Sequence, residues 1–243
     1  MDQVLRIQNS RKKPLIKVVS FDLFDTLLNR KKHSEIARFK KVSYKFASET
    51  RRNKKEVFRS RVSAWRAAYK QKLITGTEAS WSLIAGIMEK DLKLSAKEVY
   101  LLGKIEIEYE KNWLKPNKKN LTRLKTLHSK NLPIIIVSDM YLELEQIEEL
   151  LIHFDISQYI TKIYVSSTNN FSKVDGSAFK KICSNLEIKP EELLHFGDNH
   201  SSDYTIPKQL AIDAVHTPRK IRAKYEKCSA KIWIIAYEWN LYV

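Results

Sequence analysis

Four short patches of the chain carry residue types that could share one reaction. Residues 20–28 hold Asp22, Asp25 and Thr26, and residues 136–140 hold Ser138 and Asp139. Lys173 stands just before Val174-Asp175-Gly176, and the run His195-Phe196-Gly197-Asp198-Asn199 is followed by Asp203. Together they offer a carboxylate able to attack, a hydroxyl, a lysine, and an acid pair able to hold a hard cation. Phosphoryl transfer dependent on Mg²⁺ needs that set, because its catalysis is mostly positioning and neutralisation of charge.

The elements that must position these residues are legible in the pattern. Leu15–Phe21 is short, apolar and β-branched, and it ends at Asp22. Leu132–Val137 ends at Ser138, Lys162–Val165 is a third run, and Leu193–Phe196 ends at Gly197-Asp198. Helical spacing is expected over 119–130, 143–153, 177–185 and 204–210, with a last strand at 214–216. Strands alternating with helices predict a parallel α/β sheet covered on both faces. Ligands of such sheets bind at the carboxyl ends of the strands, where Asp22, Ser138 and Asp198 fall.

Residues 31–114 break that rhythm. Ile36, Phe39, Val42 and Phe46, then Val57, Val62, Trp65 and Tyr69, recur at helical intervals. Thr75-Gly76-Thr77 reads as a break, and Ser95-Ala96-Lys97-Glu98 as a capping box. The block is expected to be an all-helical insertion. The acids of Ile105–Glu110 are expected on a solvated helix face. The resulting division is a basic arm at 1–14, a core of 15–30 and 115–217, the insertion at 31–114, and a tail at 218–243.

At 243 residues, with 43% hydrophobic content, the chain can bury a proper core. Cys183 and Cys228 make neither a disulfide framework nor a metal spacing, and read as reduced thiols. There is no apolar run of membrane-span length and no signal-like N-terminus, so a cytoplasmic setting is expected. Net charge is +16. Sixteen basic residues between Asn29 and Leu73 face only Glu35, Glu49 and Glu56. That segment is either a solvated helical surface or a field that concentrates anions.

The four patches resemble, in order, the motifs of the haloacid dehalogenase (HAD) superfamily of phosphohydrolases, over Lys17 to about His216. The resemblance implies a Rossmann-like parallel sheet with a helical cap of the first type, which selects substrate by closing over the site. Phe21–Arg30, Ser138–Leu142 and Gly197-Asp198-Asn199 are similar to a narrower subgroup associated with surface-polysaccharide biosynthesis. By resemblance, Asp22 is the nucleophile, with Thr26 four residues on. Asp22, the Phe24 carbonyl and Asp198 hold Mg²⁺, with Asp203 close by. Ser138 and neighbouring groups, Thr26 and Asp139 among them, bind the phosphoryl oxygens, and Lys173 neutralises their charge. Lys162 is the rival lysine. Asp203 could instead cap the following helix. Arg30 would contact an anionic substrate or brace the hinge.

One position departs from the pattern. Many members carry a general acid two residues after the nucleophile, and here Phe24 stands in its place. Asp25, His200 near neutral pH, or a leaving group already stable as an anion could substitute. The tail, with Arg219 to Lys231 followed by Trp233 to Tyr242, suits a docked helix, a membrane surface or a glycosyltransferase partner. No nucleic-acid motif is present, so RNA or DNA is not an expected partner. Two readings follow. One is a phosphatase acting on a small phosphorylated metabolite, such as a sugar or polyol phosphate for surface glycans. The other is a slow or inactive phosphate-binding module with a regulatory role.

Overall fold

The computed structural model describes residues 15–30 and 34–218. The expected basic arm, residues 31–33, Cys228 and the tail from 219 onward lie outside the described residues. Along the chain the strands are β1 (Val18–Phe21), β2 (Leu28–Arg30), β3 (Leu114–Pro116), β4 (Ile134–Ser138), β5 (Lys162–Val165), β6 (Leu193–Gly197) and β7 (Asp213–His216). The helices are α1 (Glu35–Thr50), α2 (Lys54–Thr75), α3 (Trp81–Leu92), α4 (Ala96–Trp113), α5 (Lys118–His128), α6 (Leu144–His153), the short α7 (Ser166–Asn169), α8 (Ser177–Asn185) and the short α9 (Ile206–Gln209).

The described residues divide into two compact units. The first is α/β and comprises residues 15–28, Pro116–Asp139 and Asp155–Pro218. Its sheet runs β5-β4-β1-β6-β7, with every described pair parallel. Burial explains the apolar runs: β1, β4 and β6 are buried along their whole length. Phe21 and Phe196, paired across β1 and β6, stack with ring centroids 4.7 Å apart. Val18, Ile135, Val137 and Leu193 pack with Phe179 and Ile182 of α8. The expected strands and helices are present, with ends that coincide or shift by up to three residues. The difference is at 204–210, where a π-helical turn (Ser201–Thr205) precedes α9.

The second unit comprises 29–30, 34–115 and Met140–Phe154, and its described helices are α1 to α4 and α6. Segment 140–154, counted with the core on sequence, groups here because α6 reaches α4: Lys111 Nζ lies 2.8 Å from Glu149. Phe39, Val42 and Phe46 of α1 and Val57 and Val62 of α2 are buried, as their spacing predicts. Ser95 and Glu98 form the expected capping box of α4. Gly76, at φ 72°, ends α2 in a left-handed conformation. The three-residue strands β2 and β3 pair with each other, and neither has a sequence signature of its own.

The expectation of a solvated acid face on α4 fails. Glu108 is exposed, but Glu106 and Glu110 are fully buried, because two arginines of the basic segment turn inward to meet them. Arg61 Nη2 donates to Glu106 at 3.2 Å and to the Tyr141 hydroxyl at 3.0 Å. Arg38 pairs with Glu110, and the Tyr141 hydroxyl donates to Glu106. The Arg61 guanidinium also lies 4.1 Å from the centre of the Phe39 ring. Burial pushes the Glu106 carboxyl up, but Arg61 and Arg38 outweigh it and hold the group below its ordinary range. Among the described residues, no helix is long and apolar enough to cross a membrane.

Candidate active site

β1 delivers Asp22 directly: its N–H donates to the Phe196 carbonyl at 2.8 Å, the first bond past the strand's end. The chain then folds back on itself. The Leu27 and Leu28 N–H groups both donate to the Leu23 carbonyl, and the Asp25 N–H donates to Leu28 O at 2.7 Å. Asp25 sits at φ 65°, a left-handed conformation that Asp tolerates better than most residues. This tight turn brings Thr26 under Asp22, where its hydroxyl donates to Asp22 Oδ2 at 2.9 Å. Asn120 at the start of α5 anchors the turn by donating to the Thr26 carbonyl at 2.8 Å.

Lys173 supplies the opposite charge. Its ammonium lies 2.7 Å from Asp22 Oδ1 and 2.6 Å from Asp203 Oδ1, with only 3% of the side chain exposed. The loop that carries it is held by Asp139, whose carboxylate accepts the Lys173 N–H at 2.9 Å and the Ser172 hydroxyl at 3.0 Å. Asp139, expected near the phosphoryl oxygens, thus has its side chain engaged with this loop. Lys162 is exposed at the opposite, amino end of β5, its ammonium 5.1 Å from the centre of the Tyr164 ring.

The acid pair closes the site. One carboxylate oxygen from each of Asp22, Asp198 and Asp203 lies within 4.8 Å of the other two. Asp203 sits in the π-helical turn, a form often found at functional sites. Its Oδ2 accepts the Asn199 N–H at 3.0 Å, so its side chain reaches back to the strand end and does not cap α9. Gly197 makes the approach possible: a Cβ there would overlap the Asp203 carboxyl.

Burial and the nearby Asp203 and Asp198 carboxylates push the Asp22 carboxyl up to about 7, against the pull of Lys173. Burial acts on Asp203 in the same direction, but Lys173 and His195 outweigh it and hold that carboxyl far below its usual range. Burial disfavours the charge on Lys173. Asp22, Asp203 and Asp139 more than offset this and keep it protonated. A cluster of three carboxylates and one ammonium therefore carries an excess of negative charge. Its all-oxygen donor set fits a hard divalent cation. The Ser138 hydroxyl, fully buried at the end of β4, has no hydrogen-bond partner among the described residues. An orphaned buried hydroxyl at such a strand end is suited to a ligand oxygen.

Three other expected residues make contacts of their own. The Phe24 side chain is buried, and its backbone bridges Leu28. Arg30 belongs to the helical unit, its Nη2 3.8 Å from Met140 Sδ and its Nε 4.0 Å from Glu110. His200 is exposed, with its ring 5.2 Å from that of His216. Sequence reasoning assigned no role to His195, Ser20, Ser172 or Asn120. A histidine inside the apolar run 193–196 was the available signal, since a buried imidazole requires partners.

A family model described as haloacid dehalogenase-like hydrolase matches residues 16–209. No curated protein sequence matches the chain. Among solved structures, a HAD phosphatase from Thermococcus onnurineus is similar at TM-score 0.58 and 18% identity, over 85% of this chain and 88% of that one. A HAD family enzyme from Bacteroides thetaiotaomicron gives 0.56 and 15%, over 85% and 95%. L-2-haloacid dehalogenase from Xanthobacter autotrophicus, with chloropropionic acid covalently bound, gives 0.55 and 14%, over 86% and 80%. At these identities the structural likeness speaks for the fold alone.

Proposed function

The chain belongs to the haloacid dehalogenase-like hydrolases, and from that premise we propose that it is a Mg²⁺-dependent phosphohydrolase with Asp22 as nucleophile. The observation that carries this reading is the setting of Asp22. One carboxylate oxygen meets Lys173 and the other Thr26, within a three-carboxylate cluster at the ends of β1 and β6. Asp22, Asp198 and Asp203 would hold the cation, together with the Phe24 carbonyl. When bound, it would screen the repulsion between the carboxylate and a phosphoryl group.

Thr26 and Lys173 orient Asp22 toward the reacting phosphorus, and the carboxylate displaces the leaving group to form an acyl-phosphate. Lys173 offsets the charge that develops on the transferred group. The Ser138 hydroxyl donates to one of its oxygens. Water then attacks phosphorus, releasing phosphate and restoring Asp22. Because Phe24 cannot transfer a proton, the reading favours substrates whose leaving group is a stable anion, or a slow reaction.

Dehalogenase chemistry is the second reading, supported by the same Phe24. The acid cluster favours phosphoryl transfer, because attack at a carbon–halogen centre places no anionic phosphoryl group beside the carboxylates for a cation to screen. The substrate class we propose is a small phosphorylated metabolite, such as a sugar or polyol phosphate destined for surface glycans. The helical unit would serve as the selecting cap in a cytoplasmic protein. A panel of phosphate esters with Mg²⁺, run on wild type and Asp22→Asn, tests the reading. Phosphate release by wild type well above the variant is expected. Equal release by both, or halide release from 2-haloacids instead, would overturn it.

A further inference from the structure

The central strand β1 and its neighbour β6 place Ser20 and His195 directly opposite each other. Both are fully buried. His195 Nδ1 lies 2.7 Å from Ser20 Oγ, and Nε2 lies 3.3 Å from Asp203 Oδ1. The ring edge packs on Phe179, with centroids 5.0 Å apart. These contacts fix the hydrogens. An ionised carboxylate only accepts, so Nε2 must carry a hydrogen to face Asp203 favourably. With its one ring hydrogen on Nε2, the imidazole presents Nδ1 to Ser20 as an acceptor. The Ser20 hydroxyl then donates to Nδ1 in preference to the Leu194 carbonyl, which is farther away at 3.5 Å.

Asp203 is thereby gripped from several sides: Lys173 and His195 on Oδ1, the Asn199 N–H on Oδ2, and Gly197 yielding room behind. We propose that His195, held by Ser20 with its hydrogen on Nε2, is a positioning residue that aims the Asp203 carboxylate and, through it, Lys173 and the cation-binding set. Outer hydrogen-bond partners of ligating groups act in this way. The inference rests on the reading of Asp203 and Lys173 as working parts of the site, and not on any substrate.

Nitrogen NMR on full-length protein with ¹⁵N-labelled histidine, free of divalent cations, tests the first half. His195 is assigned by its loss in His195→Gln. Hydrogen on Nε2 is expected; a ring with its hydrogen on Nδ1 and Nε2 bare would overturn the inference. Calorimetric titration with Mg²⁺ alone tests the second half. His195→Gln returns a donor near the Nε2 position and is expected to bind within about 3-fold of wild type, whereas His195→Asn loses roughly 10–100-fold. Equal loss in both variants would overturn the positioning role. If His195→Asn fails to fold, Ser20→Ala takes its place. Several-fold weaker Mg²⁺ binding is then expected, and wild-type affinity would overturn the proposal. None of these readouts requires turnover, so a failure of the phosphatase reading remains distinguishable.

Discussion

Each unit buries a cluster of charged side chains, and the two are composed differently. In the helical unit, Arg38 and Arg61 meet Glu106 and Glu110, and burial keeps the Tyr141 phenol neutral. In the α/β unit, three carboxylates share one ammonium, and burial pushes the neighbouring imidazole below its ordinary range. The first cluster is balanced and built to stay closed. The second has an excess of negative charge and a carboxyl, Asp22, that burial and its neighbours push up to about 7. A balanced buried network stabilises or specifies a fold, while an unbalanced one marks a place where a ligand of opposite charge belongs.

Removing a charge from each cluster should move stability in opposite directions. Arg61→Met leaves Glu106 without its main counter-charge, and breaking a buried pair in this way costs about 3–5 kcal/mol. Urea unfolding should show that loss, and Arg61→Met/Glu106→Gln should recover part of it. A single variant as stable as wild type would mean the network contributes nothing to the fold. Asp22→Asn should do the reverse in cation-free protein. A carboxyl whose folded value is raised above 3.8 adds stability only while protonated, and that contribution is lost as pH rises through about 7. The variant should therefore gain on wild type between pH 5 and pH 8. The gain should be on the order of 1–3 kcal/mol, once the lost hydrogen bonds to Lys173 and Thr26 are set against it. A destabilised variant at pH 8 would contradict the account of charge excess.

Two smaller effects sharpen the contrast. Gly197→Ala must displace the Asp203 carboxyl, so Mg²⁺ affinity by calorimetry should fall roughly 10–100-fold, like loss of an outer-shell partner. Unchanged affinity would remove Asp203 from the cation set. In the helical unit, Glu98 is held down to about 2 by Arg52 and its capping-box bonds to Ser95. Its contribution is present above its ordinary 4.5 and lost as pH falls through about 2. Glu98→Gln should cost a few tenths to about 1 kcal/mol at pH 7, small because the pair is partly solvated. The difference should close as pH approaches 2.

The strands that end at Asp22, Ser138 and Gly197 were legible because a parallel sheet buried on both faces writes short, mostly apolar runs. The helical insertion was legible from the spacing of Phe39, Val42 and Phe46. What escaped depends on long-range register. Nothing local to Ser20 or His195 says that they face each other across two strands separated by most of the chain. The inward turn of Arg38 and Arg61 likewise follows from buried acids far along the sequence. Alternation alone would place those charges in solvent. Three-residue strands such as β2 and β3 are too short to carry a period.

The central claim is that Asp22, and not Asp25, takes the phosphoryl group. It is tested most directly by quenching a working reaction with a phosphate ester and Mg²⁺ and reducing it at once with borohydride. An acyl-phosphate is thereby converted to homoserine, which peptide mass spectrometry locates. Homoserine at position 22 is the predicted result. Homoserine at position 25, or an unaltered peptide from a reaction that is turning over, would contradict the account.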